Sequence, residues 1–301
     1  MSVTSVLYDR PGPIGRRRIR IASAVVTLVL VGCACYVLVQ LAHRGQLSMQ
    51  LWGPIVDPRN QQFAAFWNFF GGGLMSTLTS AGISIVLAVI LGVFLALARM
   101  SAGRFSRPVI IAFIELMRGI PIVVTIFVLS QVLPEFHLGI PVIWYLVIGI
   151  TAYHAVAIAE IVRAGIHAVP RGQTEAALAI GLSPGRSMRL IVLPQAIRLM
   201  LPALIAQLVR VLKDTSLGFI VSYGELLSRG QIAAQNLNNP FQVYFVVGVI
   251  FIAINLVLTL IANRSEAALN RTTRTRGGAG TNPSALDAAP QTHDPNPIVH
   301  V

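Results

Sequence analysis

Six apolar stretches, roughly 21–41, 74–98, 108–132, 141–162, 192–213 and 241–263, set the limits on what this chain can fold into. A helix crosses the ~30 Å hydrocarbon core of a bilayer with about 20 apolar residues. In lipid every backbone N–H and C=O must be paired, and a helix pairs them within one segment. The stretches are rich in Leu, Ile, Val and Ala, so the chain reads as an all-α integral membrane protein with six transmembrane helices. Composition agrees, since 11% of its residues are charged, against about 25% in an ordinary soluble domain.

A net charge of +12 would suggest nucleic acid as a partner for a soluble protein. Here the arginines cluster between apolar stretches, which is a topology signal, and a nucleic-acid role is excluded. Arg10, Arg16, Arg17, Arg18 and Arg20 precede the first stretch; Arg99, Arg104 and Arg107 follow the second. Arg163, Arg171, Arg186 and Arg189 separate the fourth from the fifth, and Arg264, Arg271, Arg274 and Arg276 follow the sixth. The opposite loops hold only Arg44, Arg59 and Arg229. The positive-inside rule therefore puts both termini in the cytoplasm.

This gives a basic cytoplasmic N-terminus over 1–20, a first helix over 21–41 and an outside segment over 42–73. A transmembrane core over 74–264 and a tail over 265–301 follow. The tail, rich in Gly, Pro, Asn and Thr, is expected to be disordered. Phe63, Phe66, Trp67, Phe69 and Phe70, with Trp52 upstream, suit the headgroup level or a short interfacial helix, with a ligand-stacking cage as the alternative. "LVGC", ending at Cys33, looks like a lipoprotein signal, but "CACYVLVQLA" continues apolar, as an uncleaved helix does. Cys33 and Cys35 lack the His and the spacing of a metal site, so neither a metal nor a disulfide framework is expected.

One cytoplasmic stretch, "EAALAIGLSPGRSMRLIVLP" (175–194), is unlike a span. Pro170 can open a helix over 171–180, and Gly181 can end it in the left-handed conformation. Ser183 can cap and Pro184 can begin a second short helix. Pro194 then marks a bend into the next span. A plain hairpin with arginines on lipid phosphate explains the charges. It does not explain small alanines beside Glu175 on an exposed turn, which suit close docking against another protein.

The spacing Glu175-Ala176-Ala177, Gly181, Ile191, Leu193 and Pro194 resembles the EAA loop of bacterial ABC importer permeases. "GLMSTLTSAGISIVLAVILGVFLALAR" (73–99), "FIELMRGIPIVV" (113–124), "AIAEIVRAGIHAVPRGQTEAA" (157–177) and "LPQAIRLMLPALIAQLVRVLKDTSL" (193–217) are similar to the branch that takes up polar amino acids such as histidine, glutamine and glutamate. Ile120 replaces that branch's Thr. The added N-terminal helix and "AYHAVAIAEIVRAGIHAVP" look most like actinobacterial glutamate-type permeases, with His154 where Asn is expected. The resemblance implies a five-helix type I importer core plus one helix, and a coupling loop over 165–192. It implies two ATP-binding subunits, a second permease chain (a copy or a different one), an extracellular solute-binding protein and an amino-acid substrate. Glu175, Ala176, Ala177, Gly181, Ser183 and Pro184 would form the surface that fits an ATPase groove. No cofactor and no covalent chemistry are implied.

The sequence lacks a Walker A loop, which needs a Gly-rich run before Lys. The only Lys, Lys213, follows "LVRVL". "LSRGQ" (227–231) only superficially resembles an ATPase signature, because topology places it outside. An ion- or proton-coupled secondary transporter is the competing class; it would need no docking motif, and inverted repeats of broken helices are not apparent. HExxH is absent, and "GLSPG" (181–185), although it spells Gly-x-Ser-x-Gly, falls between two helices and not on the strand-to-helix turn of a nucleophile elbow, which argues against an intramembrane enzyme.

Charges inside the membrane mark candidate pathway residues. Glu115 and Arg118 lie about 10 and 15 Å into the third stretch, on one helical face. They read as a structural pair or, with Gly119 and Pro121 breaking the helix, as a place where Arg118 meets a substrate carboxylate. Asp214 suits an amino group and Thr215 or Ser216 a carboxylate, with an internal Lys213–Asp214 pair as the alternative. His154 faces the pathway or is a hydrogen-bonded packing residue. Glu160 and Arg163 are expected to brace the coupling loop.

Overall fold

A computed structural model describes residues 12–277 of the protein. Among the described residues every regular element is helical, as the apolar stretches require. The helices run α1 (Pro13–His43), α2 (Met49–Val56), α3 (Phe63–Ser101), α4 (Ser106–Gly119), α5 (Ile122–Glu135) and α6 (Ile143–His167). They continue as α7 (Arg171–Ala179), α8 (Pro184–Ser187), α9 (Leu193–Asp214), α10 (Leu226–Leu237) and α11 (Pro240–Gly277).

Five segments are long and apolar enough to cross a membrane: most of α1, α3, α6, the run Pro184–Val221, and α11 as far as Ile261. The stretch expected as one helix over 108–132 is two, α4 and α5, bent by 98°; counted as one broken span, the pair makes six. Pro121 explains the break. Its ring disfavours helical backbone at the preceding residue, and Ile120 is extended at φ −89°, ψ 124°. Pro121 also has no N–H to return to the preceding turn.

Several boundaries differ from expectation because apolarity marks a span, whereas backbone chemistry marks a helix. Arg and Lys are good helix formers, so α1 begins at Pro13 and carries Arg16–Arg20. α11 continues to Gly277, so 265–277 are helical where disorder was expected. The remainder of that expected tail, and residues 1–11, lie outside the described residues. α3 starts at Phe63 and runs through the three glycines at 71–73, so the aromatic cluster forms its first turns rather than a separate interfacial helix.

Packing divides the chain into two units: residues up to Leu78 with Ser222–Ile250, and Thr79–Val221 with residues from Phe251 onward. In the first, Phe66 and Phe70 are buried and stack at 4.3 Å, while the Trp67 indole donates to the Ile55 carbonyl at 2.9 Å. Phe66 and Phe70 of the cluster are thus core, while Trp67 keeps an exposed face. A side chain at Gly72 would collide with the Arg229 guanidinium, which donates to the Phe69 carbonyl at 2.8 Å. Arg229 of "LSRGQ" is thus a structural clasp. Beside it, the buried Glu225 carboxylate caps α10, accepting from Leu227 N–H at 2.8 Å and Ser228 N–H at 2.6 Å.

In the second unit α6 is central: 61% of its apolar window is buried, against none of that of α1. Ile114, Ala155, Ile158, Ala159, Val162, Ala196 and Met200 make its core. Burying such side chains contributes about 1.5–3 kcal/mol each for the larger ones, relative to water. α6 therefore fixes the positions of α4 and α9 on which the polar side chains ride.

Candidate functional site

The hairpin at α7 and α8 forms as its residues dictate. Gly181 has φ +85°, and its N–H donates to the Leu178 carbonyl at 3.0 Å, while Leu182 N–H donates to that of Ala177 at 3.1 Å. This pair of bonds satisfies two orphan carbonyls at the helix end. A Cβ in the left-handed region costs about 1–2 kcal/mol, which is why glycine stands there. Pro170 sits one residue before α7 rather than opening it. Ser183 is extended and precedes Pro184, the first residue of α8, but its side chain makes no capping bond. Its carbonyl accepts from Ser187 N–H at 2.9 Å instead.

Before Pro194 the chain passes through a π-helical turn, Met188–Val192, with Leu193 N–H donating to the Met188 carbonyl. Pro194 has no N–H for the carbonyl four residues earlier, and a wider turn precedes it in place of a simple bend. Ala177 is 1% exposed and packs inward, which corrects its placement on the docking surface. Glu175, Ala176, Gly181, Ser183 and Pro184 are exposed. Leu178 and Ile180, 44% and 77% exposed, join that outer face. Glu175 also rims a cavity of about 630 Å³ that includes Arg171, His167 and Ser187.

Inside the span region, three helical turns distant in sequence come together. His154 of α6 is buried, with Nε2 2.9 Å from an Asp214 carboxylate oxygen. Its Nδ1 accepts from the Gln207 amide of α9, so the ring proton sits on Nε2 and is donated to Asp214. The structure thereby joins two candidate pathway residues and leaves the Lys213–Asp214 alternative unformed among the described ion pairs. Thr215 is buried and its hydroxyl donates to the Leu212 carbonyl at 2.6 Å; Ser216 donates to that of Lys213 at 2.7 Å. These two hydroxyls are engaged by the last carbonyls of α9.

A cavity of about 420 Å³ lies between α4, α6 and α9, lined by Arg118, Tyr153, Ala157, Glu160, Ile161, Gln207 and Arg210. Arg118 reaches it from the last turn of α4. Its contact with Glu115 spans 3.3 Å with both side chains more than half exposed, a weak tether, and Glu115 stays outside the lining. Glu160 does not brace the coupling loop as expected. Its carboxylate bridges Arg163 of its own helix, at 2.9 Å, and Arg99 of α3.

Tyr153, Gln207 and Arg210 were not singled out from sequence. A signal was present: Gln207, Arg210 and Asp214 follow i, i+3, i+7 spacing, which puts polar groups along one face of an otherwise apolar helix.

A family model described as binding-protein-dependent transport system inner membrane component matches residues 88–273. The glutamate transport system permease protein of Corynebacterium glutamicum is 36% identical over 235 residues, covering 76% of this chain and 83% of that one. The L-cystine transport system permease protein of Bacillus subtilis is 32% identical, covering 69% and 89%. Among solved structures, that of an amino acid ABC transporter with histidines aligns at a TM-score of 0.65 and 28% identity, covering 68% of this chain and 96% of that one. An inward-facing methionine ABC transporter aligns at a TM-score of 0.52 and 21% identity, covering 68% and 94%, a likeness of fold.

Proposed function

The chain belongs to the binding-protein-dependent transport system inner membrane components, and on that premise we infer that it is the permease subunit of an ATP-driven importer for a polar amino acid. The observation that carries this reading is the hairpin, whose Gly181 turn holds Glu175, Leu178 and Ile180 on an exposed face. Small and apolar side chains around one carboxylate fit the groove of an ATPase subunit. ATP hydrolysis then belongs to two partner subunits, and a second permease chain completes the pathway. An extracellular binding protein delivers the substrate.

Both ends lie in the cytoplasm on this reading. Basic residues flank α1 at its start and follow the apolar part of α11, which requires an even number of crossings. The bent pair α4–α5 then counts as one crossing. The favoured substrate is glutamate-like. Arg118 and Arg210 reach one cavity from two helices, and paired guanidinium groups suit two carboxylates. Asp214, held by His154, stands one turn from Arg210 and suits the amino group.

Reconstituting the chain in vesicles with its ATPase and binding protein tests this. The expected result is ATP-dependent accumulation of labelled glutamate, outcompeted less well by glutamine. Accumulation driven by an ion or proton gradient without ATP would overturn it.

A further inference from the structure

Where α3 and α6 end and α4 begins, a second, smaller pocket of about 180 Å³ is lined by Arg99, Met100, Arg107, Arg163 and His167. A water's share of liquid volume is ~30 Å³, so this space suits one phosphate group with a few waters rather than a nucleotide. Glu160 offsets one of the three guanidinium charges by bridging Arg99 and Arg163. Arg107 and His167 have no side-chain partner among the described residues. Arg107 also stands in the first turn of α4, which contains no acidic residue, so the positive end of that helix adds to the field.

Next to the pocket, Phe105 is 90% exposed, and Val109, Phe113 and Leu116 continue along α4 at 69%, 48% and 60% exposure. Their spacing puts them on one helical face. An exposed apolar stripe rising from a basic pocket, in a chain that crosses a membrane, matches a lipid: charged head below, acyl chains alongside. We propose that Arg107, His167, Arg163 and Arg99 bind the phosphate of an anionic phospholipid headgroup. The inference needs only that the chain crosses a membrane, and is independent of the substrate and of the ATPase partners.

Native mass spectrometry of the purified full chain in detergent, titrated with phosphatidylglycerol or phosphatidylcholine, tests it. Phosphatidylglycerol should be retained preferentially. Arg107→Gln should weaken that retention about fivefold, the scale of one basic residue at an anionic surface, while Arg107→Lys keeps most of it. An unchanged melting temperature for the exposed Arg107→Gln would show that the fold is intact. Equal retention of the two lipids, or no effect of Arg107→Gln, would overturn the assignment. Displacement of phosphatidylglycerol by millimolar inorganic phosphate would assign the pocket to a free anion instead. Loss of ATPase association with lipid retention unchanged would assign it to a protein partner.

Discussion

The hairpin at Arg171–Ser187 and the polar cluster around His154 differ in how they are made. The hairpin is local: Gly181, Ser183 and Pro184 direct its backbone, and its bonds join residues a few positions apart. The cluster is assembled across the fold, with His154 sixty positions from Asp214 and fifty-three from Gln207. One region presents side chains outward on a turn. The other holds charges where water is scarce, so each must find a partner. Local encoding yields an exposed turn, whereas long-range encoding yields a hydrogen-bonded polar cluster.

Substitution can break this contrast. Gly181→Asp should have the largest effect, abolishing uptake and ATPase co-purification while membrane insertion persists, since a left-handed turn resists a Cβ by about 1–2 kcal/mol. Near-normal uptake by this variant would remove the hairpin from coupling. Arg210→Ala should lower glutamate uptake about tenfold to a hundredfold, the scale of charge-assisted hydrogen bonds, with the ATPase still bound. Loss of the ATPase from Arg210→Ala would merge the two regions into one.

His154→Leu should lower thermal stability by about 1–3 kcal/mol, because it strands Gln207 and Asp214; His154→Asn should cost less. A melting curve in detergent decides. The smallest effect lies outside both regions, at Glu225. Burial pushes its carboxyl up from 4.5 to about 7, although the bonds from Leu227 and Ser228 N–H pull the other way. The folded state therefore favours the protonated form. The stability this gives is fully present below about 4.5 and is lost as pH rises through about 7. Thermal unfolding at pH 5 and pH 8 should differ in the wild type, and Glu225→Gln should reduce that difference.

The spans and the hairpin turn were legible because each follows from local residue types. Apolar length reports a crossing, and Gly181 with Pro184 reports a turn. Where local rules met tertiary packing, they gave way. Ala177 reads as part of an exposed motif yet packs inward, and Phe66 and Phe70 read as interfacial aromatics yet form a core. The Thr215 and Ser216 hydroxyls, candidates for a substrate carboxylate, donate to the Leu212 and Lys213 carbonyls in this structure. In each case the residue type was informative and its direction was not.

By itself the sequence determined that this chain is helical, crosses a membrane and turns at Gly181 between two short helices, because these depend on hydrophobic length and on backbone preferences within a few residues. Only the tertiary structure decided that His154 donates to Asp214, that Arg210 shares a cavity with Arg118, and that Glu160 joins α3 to α6. Helix periodicity fixes the face on which a side chain stands, but packing around α6 decides what that face meets.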